Sequence, residues 1–177
     1  MATTWIKALH KSGGISAALG RSLDYIEDSG KTNDGELIDS YECQPQTAQS
    51  EFIFSKRLYA QRTGRDQGKH DVIAYHIRMS FKPSEVTAEQ ALALGRELAM
   101  RWTKGKHQFI VAAHTNTKNP HVHVIYNSVN LGCTGKYQDF KAPGQKRFIC
   151  WKMVKQNADT ILAGPKRLER THERDIR

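Results

Sequence analysis

Two β-rich runs, "HQFIVAAH" and "HVHVIYNSVN", stand six residues apart across "TNTKNP", and no other feature restricts the fold of this chain as much. Branched and aromatic residues at this density favour strands, and a short Asn- and Pro-containing link closes them into an antiparallel hairpin. A third run lies upstream. In "DVIAYHIRMSF", Ile73, Tyr75, Ile77, Met79 and Phe81 alternate with Val72, Ala74, His76, Arg78 and Ser80, which predicts a strand with one face in the core. Between it and the hairpin, Thr87 and Gln90 stand at capping-box spacing. They open a helix to about Trp102, with Ala91, Leu94, Leu98 and Trp102 on one side. Such a helix packs on the sheet.

The N-terminal part adds a strand at "TTWIKALH" and a helix in "GGISAALGRSLDYIEDSG", with Ile15, Ala18, Leu19 and Ile26 near helical spacing and a stop before Gly30. The segment "KTNDGELIDSYECQPQ" reads as irregular, with room for a short hairpin. From Thr47 to Thr63 a second helix carries Phe52 and Tyr59 on one side, and "GRDQGKH" breaks it. From about Gly132 onward the chain is loop-rich, with a helix at "RFICWKMVKQNADTILAG". The expectation is a single α+β domain over residues 1–177, a central antiparallel sheet flanked by helices. It could be the N-terminal piece of a longer protein.

Lys and Arg outnumber Asp and Glu by 27 to 18, a formal net charge of +9, with clusters at "SKRLYAQRTGRDQGK", "KAPGQKR" and "GPKRLERTHERDIR". This excess favours a polyanionic partner over a neutral small molecule, the alternative being a merely solvated basic surface. Apolar runs fall short of the roughly 18 residues a membrane span needs, and the N-terminus lacks a signal-peptide core, so no membrane insertion and a cytoplasmic location are expected. Cys43, Cys133 and Cys150 show neither disulfide-framework nor zinc-knuckle spacing and read as reduced thiols.

Three of the eight histidines fall within "HTNTKNPHVH". Strand side chains alternate, so His121 and His123 share one face while Val122, Val124 and Tyr126 take the other. Across the hairpin loop, His114 comes close to His121, and three imidazoles converge. Such a set binds a divalent cation and leaves coordination positions open, as in a catalytic metal site. Imidazole is softer than carboxylate or water, which favours Mn²⁺, Zn²⁺, Ni²⁺ or Co²⁺ over Mg²⁺. The competing reading is strand histidines satisfied by hydrogen bonds. Spacing alone does not define a reaction, because a three-histidine hydrolase that activates water would use the same set.

Together, "LDYIEDSGKT", "YHIRMSFKPSEVTAEQALALGRELA" and "HQFIVAAHTNTKNPHVHVIYNSVN" resemble the MOB-P relaxases, mobilisation nucleases within the HUH endonuclease superfamily. The resemblance spans most of residues 1–131. It implies the relaxase fold and an enzyme that nicks and rejoins one strand of origin-of-transfer DNA in a bacterial cytoplasm. It also implies accessory relaxosome proteins and a coupling ATPase as partners, and a divalent metal, Mn²⁺ or Mg²⁺, with Zn²⁺, Ni²⁺ or Co²⁺ as alternatives. The family's metal ligands fall on His114, His121 and His123, and its nucleophile on Tyr25, which would form a 5′-phosphotyrosyl intermediate. Helical spacing alone reads Tyr25 as a half-buried aromatic. Tyr75, Tyr126 and Tyr137 are weaker nucleophile candidates, and His10 is the candidate of a histidine-nucleophile variant. Many members carry an acidic residue where this chain has Asn116, which puts a carboxylate role there in doubt.

His76, on the polar face of its strand, and Asn127, on the face of the two paired histidines, are candidates to support the metal site, each with an ordinary strand residue as the alternative. Lys31, Lys56 and Arg57 are candidate DNA phosphate contacts. Trp5, Trp102 and Trp151 are aromatics that could stack on bases, with Trp5 and Trp102 also sitting in core-like patterns. The rival functions are a replication-initiator nickase, in which the tyrosine would follow the histidine motif, the water-activating hydrolase, and a non-catalytic DNA-binding protein.

Overall fold

A computed structural model describes residues 2–11, 14–65, 68 and 71–136. The helix expected at "RFICWKMVKQNADTILAG", with Tyr137, Cys150, Trp151 and the basic segments beyond Lys136, lies outside the described residues. In chain order the elements are β1 (Thr3–His10), α1 (Ile15–Glu27), β2 (Ile38–Tyr41), a 3-10 turn (Pro45–Thr47), α2 (Ala48–Thr63), β3 (Val72–Ser80), α3 (Ala88–Thr103), β4 (Phe109–His114) and β5 (His121–Asn127). The five strands form one antiparallel sheet in the order β1-β3-β5-β4-β2. The α+β architecture expected from the sequence is the one observed.

Local chemistry accounts for most boundaries. At α3, Thr87 accepts from the Gln90 amide while the Gln90 side chain returns to the Thr87 amide, a complete capping box that satisfies two otherwise orphaned donors. Helix α2 stops at Gly64, whose φ of 65° is left-handed and suits a residue without Cβ. Strand β2 is different. Its four residues pair with β4, Ile38 opposite Ala112 and Tyr41 opposite Phe109, so the segment read as irregular or a local hairpin completes the far edge of the sheet. Arg96 on α3 bonds Asp39 at 2.7 Å and helps hold it.

Both faces of the sheet are covered, but unequally. On one, Tyr75, Ile77, Phe109, Val111, Val122, Val124 and Tyr126 pack with Leu94 and Leu98 of α3. Gly95 sets that separation: a Cβ there would lie 2.5 Å from Val122 Cγ2 and 3.0 Å from Val111 Cγ1, too close for any side chain without displacement. On the other face, Leu19, Leu23 and Ile26 of α1 and Phe52 of α2 bury Ile110, Ala112 and Ile125. Full burial of each large apolar side chain contributes about 1.5–3 kcal/mol. The alternation expected through β3 breaks at Ile73. Leu9 pairs with Ala74 and His10 with Val72, and the resulting bulge turns both Ile73 and Ala74 toward α1 and α2.

The α1/α2 layer stops short of the β1 edge, where Thr3, Trp5, Lys7 and Arg78 stay exposed on the same face. Trp5, expected in the core, is 43% exposed. Trp102 is half-buried and donates from Nε1 to the Tyr126 hydroxyl at 2.9 Å.

Candidate metal centre and nucleophile

The hairpin register places His114 directly opposite His121, and β3 brings Arg78 opposite His123. All three histidines are buried, at 1%, 4% and 3% exposure, beneath the C-terminal end of α1. Each has one ligand nitrogen within 4.8 Å of those of the other two.

Hydrogen bonds decide which nitrogen each ring can offer. His114 Nε2 lies 3.0 Å from the Ile26 carbonyl and His121 Nδ1 lies 3.0 Å from the Asn119 carbonyl. A carbonyl only accepts, so those nitrogens carry the protons, leaving His114 Nδ1 and His121 Nε2 with lone pairs. His123 Nδ1 instead faces His76 Nε2 at 2.8 Å. The nitrogens left over on His114 and His123, Nδ1 and Nε2, are buried without a hydrogen-bond partner. Buried polar atoms are rarely left so, and these fit a cation.

Electrostatics agrees with that fit. Burial, aided by the neighbouring His76, pushes His123 down to about 2. Burial with the positive charges of Lys7 and Arg78 takes His76 to about 4. His114 and His121 are lowered as well, by burial first. All four imidazoles are therefore neutral near pH 7, the state a metal ligand requires.

Tyr25 stands over this cluster. It lies in the last turns of α1 and is 50% exposed, with its ring centroid 5.8 Å from His114 and 5.7 Å from His123. Half of its surface is covered, as helical spacing alone suggests, and the rings it meets there are the imidazoles of His114 and His123. The Lys31 ammonium sits 4.2 Å from the Tyr25 ring centroid and 3.0 Å from Asp28 Oδ2. The loop carrying Lys31 is tied to the end of β4, because the Thr115 amide donates to the Lys31 carbonyl at 3.0 Å. Helix end, loop and hairpin are thus fixed to one another around the histidines.

Other candidates fall elsewhere. Lys56, expected at a DNA phosphate, is 6% exposed. Its ammonium bonds Asp71 at 2.8 Å and the Val72 carbonyl at 3.0 Å, and Lys136 shares Asp71, so this lysine is a buried structural cation. Asn127 shares the histidine face, but Ile125 separates it from His123. Its amide is consumed by Gln108 and by the Val129 N–H, so it supports the end of β5 and not the metal site. Arg57 is exposed on α2 and lines a surface cleft with Lys11 and Arg21 that none of the three histidines lines. Tyr75 and Tyr126 stack on the α3 face of the sheet, opposite to the histidines. His10 ends β1 beyond the row of Ala74 and Asn127, far along the strands from His123. Asn116 is exposed in the hairpin loop. Two participants escaped the sequence reading, the carbonyls of Ile26 and Asn119, because main-chain acceptors leave no trace in residue identity.

A family profile described as "Relaxase: MobA/VirD2-like, nuclease domain" matches residues 25–157. The group II intron-interrupted relaxase LtrB of Lactococcus lactis subsp. cremoris (strain MG1363) is 30% identical over 136 residues, 66% of this chain and 24% of LtrB. Protein Rlx of Staphylococcus aureus is 34% identical over 136 residues, 77% of this chain and 38% of Rlx. The chain therefore spans well under half the length of these relatives. A metal-bound structure of the conjugative relaxase TrwC in complex with oriT DNA aligns with a TM-score of 0.45 and 12% identity, over 90% of this chain and 65% of that one. With the profile matched across three quarters of its residues, this chain belongs to the MobA/VirD2-like relaxases and corresponds to their nuclease domain.

Proposed function

We propose that the protein nicks and rejoins one strand of origin-of-transfer DNA through Tyr25, next to a divalent metal held by His114 Nδ1, His121 Nε2 and His123 Nε2. The observation that carries the reading is an exposed tyrosine seated on a cluster of three neutral, inward-facing imidazoles, two of which have buried, unpartnered nitrogens. A cation there would neutralise phosphate charge and so ease attack by an oxygen nucleophile. The chain's own groups do the rest. The Tyr25 oxygen bonds to phosphorus as the bond from phosphorus to the 3′ oxygen breaks, giving a 5′-phosphotyrosyl strand and a free 3′-hydroxyl. The phenolic proton goes to solvent and the departing 3′ oxygen takes one up. Because the phosphoester bond count is unchanged, the reverse attack reseals the strand without a nucleotide cofactor.

Lys31 places a positive charge over the Tyr25 ring, where it can meet an incoming phosphate. His76 acts behind the ligands. Only if His123 donates from Nδ1 to His76 is its Nε2 free for a metal, so His76 serves as the acceptor that holds His123 in the ligating tautomer. Accessory relaxosome proteins and a coupling ATPase are the partners this reading brings with it.

The test is an origin-derived single-stranded oligonucleotide incubated with Mn²⁺ and run on a denaturing gel. Wild type is expected to leave protein attached to the DNA, and Tyr25→Phe and His121→Ala to leave none. Cleavage without an adduct would point to water attack by a three-histidine hydrolase, and an adduct that persists in Tyr25→Phe would remove the tyrosine from its role.

A further inference from the structure

The uncovered margin of the histidine face combines a solvent-exposed indole with two cations. Cross-strand pairing sets Trp5, Arg78 and His123 in one row, and Lys7 beside His76 in the next. Neighbouring strands lie about 4.8 Å apart, which puts Trp5 about 10 Å from His123 along the row. No acidic side chain stands on this face of β1 or β3. The indole meets the His76 ring edge-on, with centroids 5.3 Å apart, and His76 in turn bonds His123. The margin is therefore continuous with the candidate metal site and positively charged. It presents an aromatic ring that neither helix layer covers.

We propose that Trp5, flanked by Lys7 and Arg78, is a base-stacking platform for the DNA strand whose phosphate lies at the histidines, holding a base one or two nucleotides from the scissile bond. The proposal rests on the reading of the protein as a single-strand nickase. Sequence-tolerant binding to a single strand combines an aromatic ring face with nearby backbone-neutralising cations, which is the set found here. Duplex DNA, with its bases stacked on each other, would gain nothing from the indole. The charges also oppose an acidic-residue-free apolar partner, since Lys7 and Arg78 would be desolvated without a counter-charge.

The experiment measures affinity for fluorescent single-stranded oligonucleotides in chelator, so that no cleavage occurs, using wild type, Trp5→Leu and Trp5→Phe. Trp5→Leu is expected to bind about 5- to 150-fold more weakly, with Trp5→Phe recovering most of the loss. An abasic-site scan supplies the discriminating readout. At one position, removing the base should weaken wild type as much as Trp5→Leu does, and add nothing to Trp5→Leu. Mn²⁺ affinity should be the same in all three proteins, which separates stacking from a structural effect through His76. Wild-type affinity in Trp5→Leu, or abasic penalties that add in full at every position, overturns the platform. If the variants behave in this way while wild type still forms its tyrosyl adduct, the nickase reading survives. If wild type binds no single strand, both fall.

Discussion

Replacing His76 with phenylalanine isolates the one ligand orientation among the three that no main-chain carbonyl holds. Phenylalanine preserves an aromatic ring against Trp5 and fills similar space, but it offers no acceptor to His123 Nδ1, now 2.8 Å from His76 Nε2. His114 and His121 keep their carbonyl partners at 3.0 Å, so two of three ligands are untouched. Two outcomes are open to the buried His123 ring. It can keep its proton on Nδ1 without a partner, which costs about 1–3 kcal/mol, or move the proton to Nε2, which blocks the metal. Either way metal binding weakens, by about 10- to 100-fold if the loss is that of a ligand-orienting partner, or roughly 1.4–2.7 kcal/mol. Calorimetric titration of the DNA-free protein with Mn²⁺ reads the affinity. Nitrogen-15 spectra of the imidazoles before metal addition read the His123 tautomer. His76→Glu, which restores an acceptor, should recover part of the affinity. An unchanged Mn²⁺ affinity in His76→Phe, with His123 still protonated on Nδ1, would refute the reasoning.

Two further outcomes follow from buried charges. Lys56→Met should destabilise the fold by about 2 kcal/mol, below the 3–5 kcal/mol typical of a broken buried pair because Lys136 remains on Asp71. Urea unfolding gives the stability, and the salt dependence of DNA binding should not move; a shallower salt slope would return Lys56 to the DNA interface. Glu27 has its carboxyl raised to about 7 by burial and then by the Asp24 charge, and Oε1 is buried without a partner. Between pH 4.5 and about 7 the folded state holds a proton that an unfolded glutamate has released, so this group's contribution to stability declines as pH rises across that window. Glu27→Gln should therefore raise the thermal midpoint at pH 8 and leave it nearly unchanged at pH 4; equal shifts at both would contradict the assignment.

Much of the architecture was written in local pattern. The alternation of β3, the β-rich runs of β4 and β5, the Thr87–Gln90 cap and the apolar spacing of α1 and α3 are properties of neighbouring residues, and each element formed where local pattern placed it, apart from the bulge at Ile73. The pairing of His121 with His123 on one face, and the approach of His114, follow from strand geometry and a short loop alone. Lys56 and Asn127 misled because a charge or amide on an element's polar side is equally suited to solvent and to a buried network. Asp71 and Gln108, the partners that decide between these, lie 15 and 19 residues away in sequence. Strand β2 was hidden for the same reason, since its partner β4 arrives about 70 residues later.

The sequence by itself determined an α+β chain with three histidines converging on one side of a hairpin, because alternation and spacing are short-range consequences of backbone geometry. Only the tertiary structure decided which nitrogens face inward, that Tyr25 lies over them and that Trp5 is left uncovered. Those facts depend on where carbonyls, helix ends and the edge of the α1/α2 layer come to rest when distant segments pack, and no local pattern carries that information.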